Sequence, residues 1–218
     1  MKRILIGLGF VLAIVFSLLY VSKYNYLLTG VSTIYLTGHT TAYLTDYKKF
    51  PNNSVIASAQ PQAWPLHKFY NQYSTSKTLE DYHEDRKTVA YLVIKNDSIL
   101  YEKYFDGYGP DSKSNSFSVA KSVVSALMGI AIQEGAIKGL DQKVVDFIPD
   151  LKGPYADQVT VGDLSSMASG QKWSEEYYNP FSVTSASYFV KDLDALILDQ
   201  PINLKPGEVF RYKSGTTQ

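Results

Sequence analysis

Phe-Ser-Val-Ala-Lys-Ser-Val-Val-Ser-Ala-Leu-Met-Gly-Ile-Ala-Ile-Gln-Glu-Gly, residues 117–135, is the stretch whose reading decides the fold. It opens with Ser118-Val-Ala-Lys121 and then turns apolar on nearly every face. A helix that is hydrophobic all round belongs inside a domain, so the pattern predicts a buried helix with Ser118 at its mouth. Residues three apart share a helix face, which puts the Lys121 ammonium within reach of the Ser118 hydroxyl. The first turn of a helix also offers unpaired N–H groups and a positive dipole end, both favourable to a developing oxyanion. Desolvation favours the neutral amine of a lysine, the form that takes a proton, so a serine can be activated here without histidine. Read blandly, Ser118 is a helix N-cap and Lys121 a surface residue.

Two further Ser-x-x-Lys matches lack this setting. Ser74-Thr-Ser-Lys77 leads into the charged run at residues 79–86, where any helix is solvated. Ser169-Gly-Gln-Lys172 contains Gly170, which marks a helix end rather than a start.

Working outward upstream, residues 89–94 (Val-Ala-Tyr-Leu-Val-Ile) and 98–105 (Ser-Ile-Leu-Tyr-Glu-Lys-Tyr-Phe) read as two strands of a hairpin joined by Lys95-Asn96-Asp97. A Gly/Pro/Ser-rich loop then carries the chain to Ser118. Downstream, Gly135 is the expected helix stop. Residues 141–149 read as a short amphipathic segment with Val144, Val145, Phe147 and Ile148 inward. Thr160-Val-Gly-Asp163 is a capping-box variant opening a helix that contains Leu164 and Met167 and ends at Gly170. Residues 187–198 are expected to form one more helix, and Pro206-Gly207 turns the chain into Val209-Phe-Arg-Tyr212.

Residues 4–21 form an uninterrupted, mostly apolar run after Lys2 and Arg3. Its length is at the lower edge for crossing a bilayer and exceeds a usual signal-peptide core. Tyr20, Tyr24, Tyr26 and Lys23 follow as an interfacial belt would, and no small-x-small cleavage site follows directly. The reading is an uncleaved signal-anchor, residues 1–27, with Lys2 and Arg3 on the cytoplasmic side and the remainder extracytoplasmic. A cleaved signal peptide with a periplasmic or secreted product is the alternative. Residues 28–86, rich in Tyr, Thr, Asn and Ser and broken by prolines, read as an extended lead-in, with a short helix near residues 79–86.

Composition narrows the function classes. Basic and acidic residues balance at 21 each, so charge gives no case for a nucleic-acid partner. Without cysteine there is no disulfide, thiolate metal site or cysteine nucleophile. His39, His67 and His83 form no metal-binding pattern.

Together these segments resemble the serine β-lactamase and penicillin-binding-protein superfamily. The nearest likeness is its class C-like branch, with esterase, D-amino-acid peptidase and 6-aminohexanoate-dimer hydrolase relatives. The hairpin stands where the family places its first two strands, and Ser118-Val-Ala-Lys121 occupies the nucleophile position. Residues 160–170 resemble the family's Thr-x-x-x-Leu-Leu-x-x-x-Ser-Gly segment, with Ser165 replacing the second leucine. Residues 206–215 resemble Pro-Gly-x-x-Phe-x-Tyr-x-[Ser/Asn].

The resemblance implies an α/β (α+β) fold of the DD-peptidase/β-lactamase type, an antiparallel sheet with a helical subdomain, in residues 87–218. It makes Ser118 the acylated nucleophile, Lys121 the group that holds or takes its proton, and Tyr212 the second acid/base. Ser214, where many relatives carry asparagine, is placed to bond substrate or Lys121. The loop at residues 173–178, with Tyr177, lines the cleft or simply packs. Lys213-Ser214-Gly215 spells the family's third motif but overlaps the tyrosine motif, so it is read as a coincidence. The motif proper is expected beyond Gln218, as are the later sheet strands. The hairpin edge is then open, the Ser118 helix loses cover, and one missing oxyanion donor is worth ~2.7–4 kcal/mol. These residues therefore read as the first part of an enzyme, inactive by themselves. The expected activity is hydrolysis of a small-molecule amide or ester with no cofactor and no metal. The rivals are a membrane-tethered binding or sensor protein on the same scaffold, or an inactive relic.

Overall fold

The computed structural model describes residues 2–218, without the Lys2 side chain. Met1 and the Lys2 charge expected at the cytoplasmic end lie outside the described residues. By contact the chain divides into two units, residues 50–114 and residues 1–49 with 115–218.

In the smaller unit, α3 (Lys77–Asp85) starts at Ser76, whose hydroxyl accepts from Leu79 N at 3.2 Å. It carries the buried His83 toward the rings of Tyr91 and Phe105. Strands β1 (Ala90–Lys95) and β2 (Ser98–Tyr104) pair antiparallel from Ala90↔Tyr104 to Lys95↔Ser98, with a register shift between Val93 and Ile94. Asn96 and Asp97 take φ of 50° and 54°, the doubly left-handed turn that matches strand twist. The β2 edge expected to be open is partly covered. Leu66 bridges Ile99, His67 N donates to Ile99 O, and Asn71 exchanges two bonds with Glu102.

In the larger unit, α1 (Lys2–Val21) is a single apolar helix, and α2 (Tyr26–Thr33) follows after a short turn. A 3₁₀ turn over Phe117–Val119 runs directly into α4 (Ala120–Gln133). Gly135 ends that helix at φ 78°, and Ile137 N reaches back to Ala131 O. The core gathers Val144, Ala156, Val159 and Ile202, flanked by Leu151, Tyr155 and Leu164. α5 (Val161–Ser165) opens on a complete capping box between Thr160 and Asp163. α6 (Val183–Ser187) and α7 (Leu193–Leu198) complete the helices.

Several expectations are corrected here. α4 has no buried residue, and Leu127 is 58% exposed, so the helix lacks the interior setting its composition predicts and shows instead the loss of cover expected without the later strands. α5 stops at Ser165 because Met167 enters the left-handed region (φ 59°) and Ala168 N closes on Asp163 O. Gly170 instead serves a close approach, since a Cβ there would lie 2.0 Å from Leu204 O. Of the single helix expected over residues 187–198 only α7 forms: α6, capped by Ser182 at Ser185 N, already ends at Ser187, residues 188–192 are not helical, and Asp192 caps the start of α7 at Ala195 N. In residues 141–149 only Val144 is buried; Phe147 and Ile148 are exposed around a short 3₁₀ turn. Residues 209–212 form no strand; Arg211 N donates to Met167 O, and Gly207 turns at φ 80° as expected.

Candidate active site

Ser118 lies in the 3₁₀ turn that leads into α4, exposed to solvent. The residue before it, Phe117, is held at φ 45°, a left-handed conformation that costs a bulky residue about 1–3 kcal/mol. The loop entering this turn is tied at Asn115, whose N–H donates to Leu44 O and whose amide donates to Tyr43 O. The buried Asp46 in turn accepts from Tyr43 N at 2.7 Å. Residues 43–46 therefore brace the approach to Ser118, a role no local pattern in that Tyr/Thr-rich segment announced.

Lys121, one turn into the helix, donates from Nζ to Ser118 Oγ at 3.3 Å and to Ser214 Oγ at 3.2 Å. Tyr212 OH donates to Ser118 Oγ at 2.6 Å, and Lys121 Nζ lies 5.2 Å from the Tyr212 ring centroid. Four of the five sequence candidates thus meet at one point.

Lys213 has extended dihedrals (φ −147°, ψ 121°), so its neighbours Tyr212 and Ser214 share one face while its own side chain leaves by the other. That side chain is buried and donates to Gln171 O. Burial, and secondarily the Arg211 charge, pushes its pKa below the ordinary lysine value. Gly215 lies flat on Trp173, where a Cβ would stand 2.4 Å from the ring. These two contacts pin residues 212–216 beside the loop at 171–177. Lys213-Ser214-Gly215 accordingly serves the tyrosine segment, as its overlap with that motif implied.

The fifth candidate, Tyr177, reaches the cluster through Glu175. Glu175 accepts from Ser214 N, from Ser214 Oγ at 3.2 Å and from Tyr177 OH. Burial first, then the bond to Glu175, raises the Tyr177 pKa to about 12. Tyr177 is therefore a donor near neutrality, whereas Tyr212 faces the nucleophile directly. Glu175 was missed in sequence because its neighbour Glu176 is chemically identical. Only the fold shows that Glu176 turns to Asn179, at 2.9 Å.

Among the described residues no cluster of His, Cys, Asp and Glu could hold a metal ion. What the arrangement offers is a hydroxyl nucleophile flanked by an amine and a phenol, with a carboxylate behind.

A β-lactamase family model matches residues 57–218. A 6-aminohexanoate-dimer hydrolase from Paenarthrobacter ureafaciens is 33% identical over 104 residues, 48% of this chain and 26% of that relative. A Bacillus anthracis structure provisionally described as a 6-aminohexanoate-dimer hydrolase superposes with a TM-score of 0.58 at 21% identity, covering 91% of this chain and 54% of that one. The latter is a likeness of fold. The chain spans about a quarter of the first relative's length and about half of the second's.

Proposed function

From the premise that this chain belongs to the β-lactamase family, we propose that it is a serine hydrolase cleaving an amide or ester through an acyl-enzyme on Ser118. The observation that carries this reading is the Ser118 hydroxyl set between Tyr212 OH and Lys121 Nζ.

As Ser118 Oγ bonds to the substrate carbonyl carbon, its proton leaves toward Lys121. Tyr212 passes its own proton to the departing amine or alcohol and recovers one from Lys121. Water then attacks the acyl carbon, and the proton it sheds returns to Ser118 Oγ. Ser214, held by Glu175, fixes Lys121 from behind. Tyr177, protonated and at the rim, donates to Glu175 and stands where it can meet substrate.

The name of the relative that is 33% identical, 6-aminohexanoate-dimer hydrolase, supports an amide as a candidate substrate beside esters. We assign residues 1–27 to a membrane anchor, 28–86 to the lead-in and 87–218 to part of the hydrolase domain. α1 supports the anchor: its stretch Arg3–Val21 is long and apolar enough to cross a membrane, and none of its residues is buried in the protein. In this reading the site is extracytoplasmic.

A fluorophosphonate probe tests the proposal on the full-length protein. Labelling of wild type that disappears in Ser118→Ala is expected. A folded wild type that takes no label would place the chain with the non-catalytic, membrane-tethered binding proteins instead.

A further inference from the structure

The foot of α1 is fastened to the loop that carries Glu175 and Tyr177. Tyr24 lies three positions beyond Val21, the end of α1, a reach of at most about 10 Å. The Tyr24 ring meets Phe181 edge-on at 5.5 Å, and Tyr26 OH donates to Pro180 O at 2.9 Å. Behind this contact Tyr26, Ser182, Thr184 and Ala186 are buried, and Phe189 packs against Gly30 of α2 so closely that a Cβ there would be 3.3 Å from its ring. The loop is equally closed on itself. Ser182 Oγ donates to Glu176 O, Thr184 Oγ1 to Ser174 O, and Ser185 Oγ to Asn179 O. Ring contacts and hydrogen bonds therefore link the segment after α1 to the backbone on either side of Glu175, whose carboxylate holds Ser214.

The polar layer of a bilayer is about 5–7 Å deep on each side of its hydrocarbon core. With α1 spanning, a ring touching Tyr24 stands in or against that layer. The side chains at this contact are those a membrane interface selects: the Phe181 ring against Tyr24 is 61% exposed, and Lys23 Nζ lies over the Tyr24 ring. In water, this aromatic face gains nothing from exposure. Against lipid headgroups its rings are satisfied and its cation is complementary.

We infer that the face formed by Lys23, Tyr24 and Phe181 lies on the bilayer that holds α1, so that the Ser118 site takes an amphiphilic ester or amide whose apolar chain remains in the membrane. The inference rests on the proposed anchor and on the proposed hydrolase, and goes beyond both by naming where the substrate comes from. The bond changes are those already given: the Ser118 ester forms, the alcohol or amine leaves with a proton, and water releases the carboxylic acid.

Residues 1–218 contain no cysteine, and with any cysteine elsewhere in the full-length protein replaced by serine, single introduced cysteines can carry a nitroxide without background. Full-length protein in phosphatidylcholine vesicles would be labelled at Leu12 in α1 or at Phe181. Its collisions with lipid-soluble oxygen and with a water-soluble nickel chelate would then be compared. The expected result is a Leu12 label in the hydrocarbon and a Phe181 label at headgroup depth. A Leu12 label in the hydrocarbon with a Phe181 label fully open to the chelate overturns the inference and leaves the anchor standing. A Leu12 label open to the chelate removes the anchor and this inference together.

The substrate half is read with two chromogenic esters, one long-chain and vesicle-embedded, one short and soluble. Phe181→Asp is expected to slow the first about tenfold and leave the second unchanged. Equal loss on both, or loss on neither, overturns it. Wild type that cleaves neither and takes no fluorophosphonate contradicts the hydrolase reading itself.

Discussion

A serine hydroxyl has one proton and two lone pairs, and at Ser118 two side chains compete for them. If Tyr212 is the proton carrier, Tyr212→Phe keeps the ring under Lys121 and removes only the oxygen. Its rate of acylation is expected to fall about 10²–10⁴-fold in fluorophosphonate labelling kinetics. A fall of less than a few-fold would reduce Tyr212 to a packing residue. Glu175 gathers three donors, which a neutral amide cannot accept equally. Hydrogen bonds to a charged group are worth about 1.5–3 kcal/mol, so Glu175→Gln should slow the same labelling roughly 10–100-fold while the fold persists. Of this constellation, Ser118, Lys121, Tyr212 and Ser214 were legible because spacing and motif carry them. Glu175 and the Tyr43–Asp46 brace were not, since each acts through a partner distant in sequence.

Among the elements, those written in local chemistry were read well. The Asn96-Asp97 turn, the Thr160–Asp163 capping box and the Gly135 stop each depend on a few adjacent residues. Those that depend on what covers them were not. α4 has the composition of an interior helix yet is exposed, and of residues 187–198 only 193–198 form the expected helix, because Asp192 caps its start. Asp192→Ala should therefore destabilise the larger unit by about 0.5–2 kcal/mol in urea unfolding, the usual cost of a lost N-cap. No shift in midpoint would argue against that boundary. Lys213 gives the tyrosine segment a pH signature. Its folded pKa is lowered from the ordinary 10.5, so as pH rises through that lowered value the folded state releases a proton the unfolded chain still holds. Stability then gains with pH up to about 10.5. Lys213→Met should lose that alkaline gain, and parallel profiles for variant and wild type would contradict it.

For the whole molecule, α1 was legible from hydropathy alone, and the order of motifs after residue 87 from the family resemblance. The attachment of the 174–185 loop to Tyr24 and Tyr26 was not, because it joins segments some 150 positions apart. Removal of residues 1–21 should release the protein from the membrane fraction into the soluble one, and persistence in the membrane would assign the anchoring elsewhere.

The central claim, acyl transfer to Ser118, is tested most directly by catching the intermediate. A chromogenic ester is mixed with the full-length protein, the reaction is quenched in acid within the first turnover, and the tryptic fragment of residues 114–121 is weighed. The account predicts an increase equal to the acyl group on that fragment, matched by a burst of one alcohol per protein and absent in Ser118→Ala. Turnover of the ester with no added mass on residues 114–121, or acyl mass on another fragment, would contradict it.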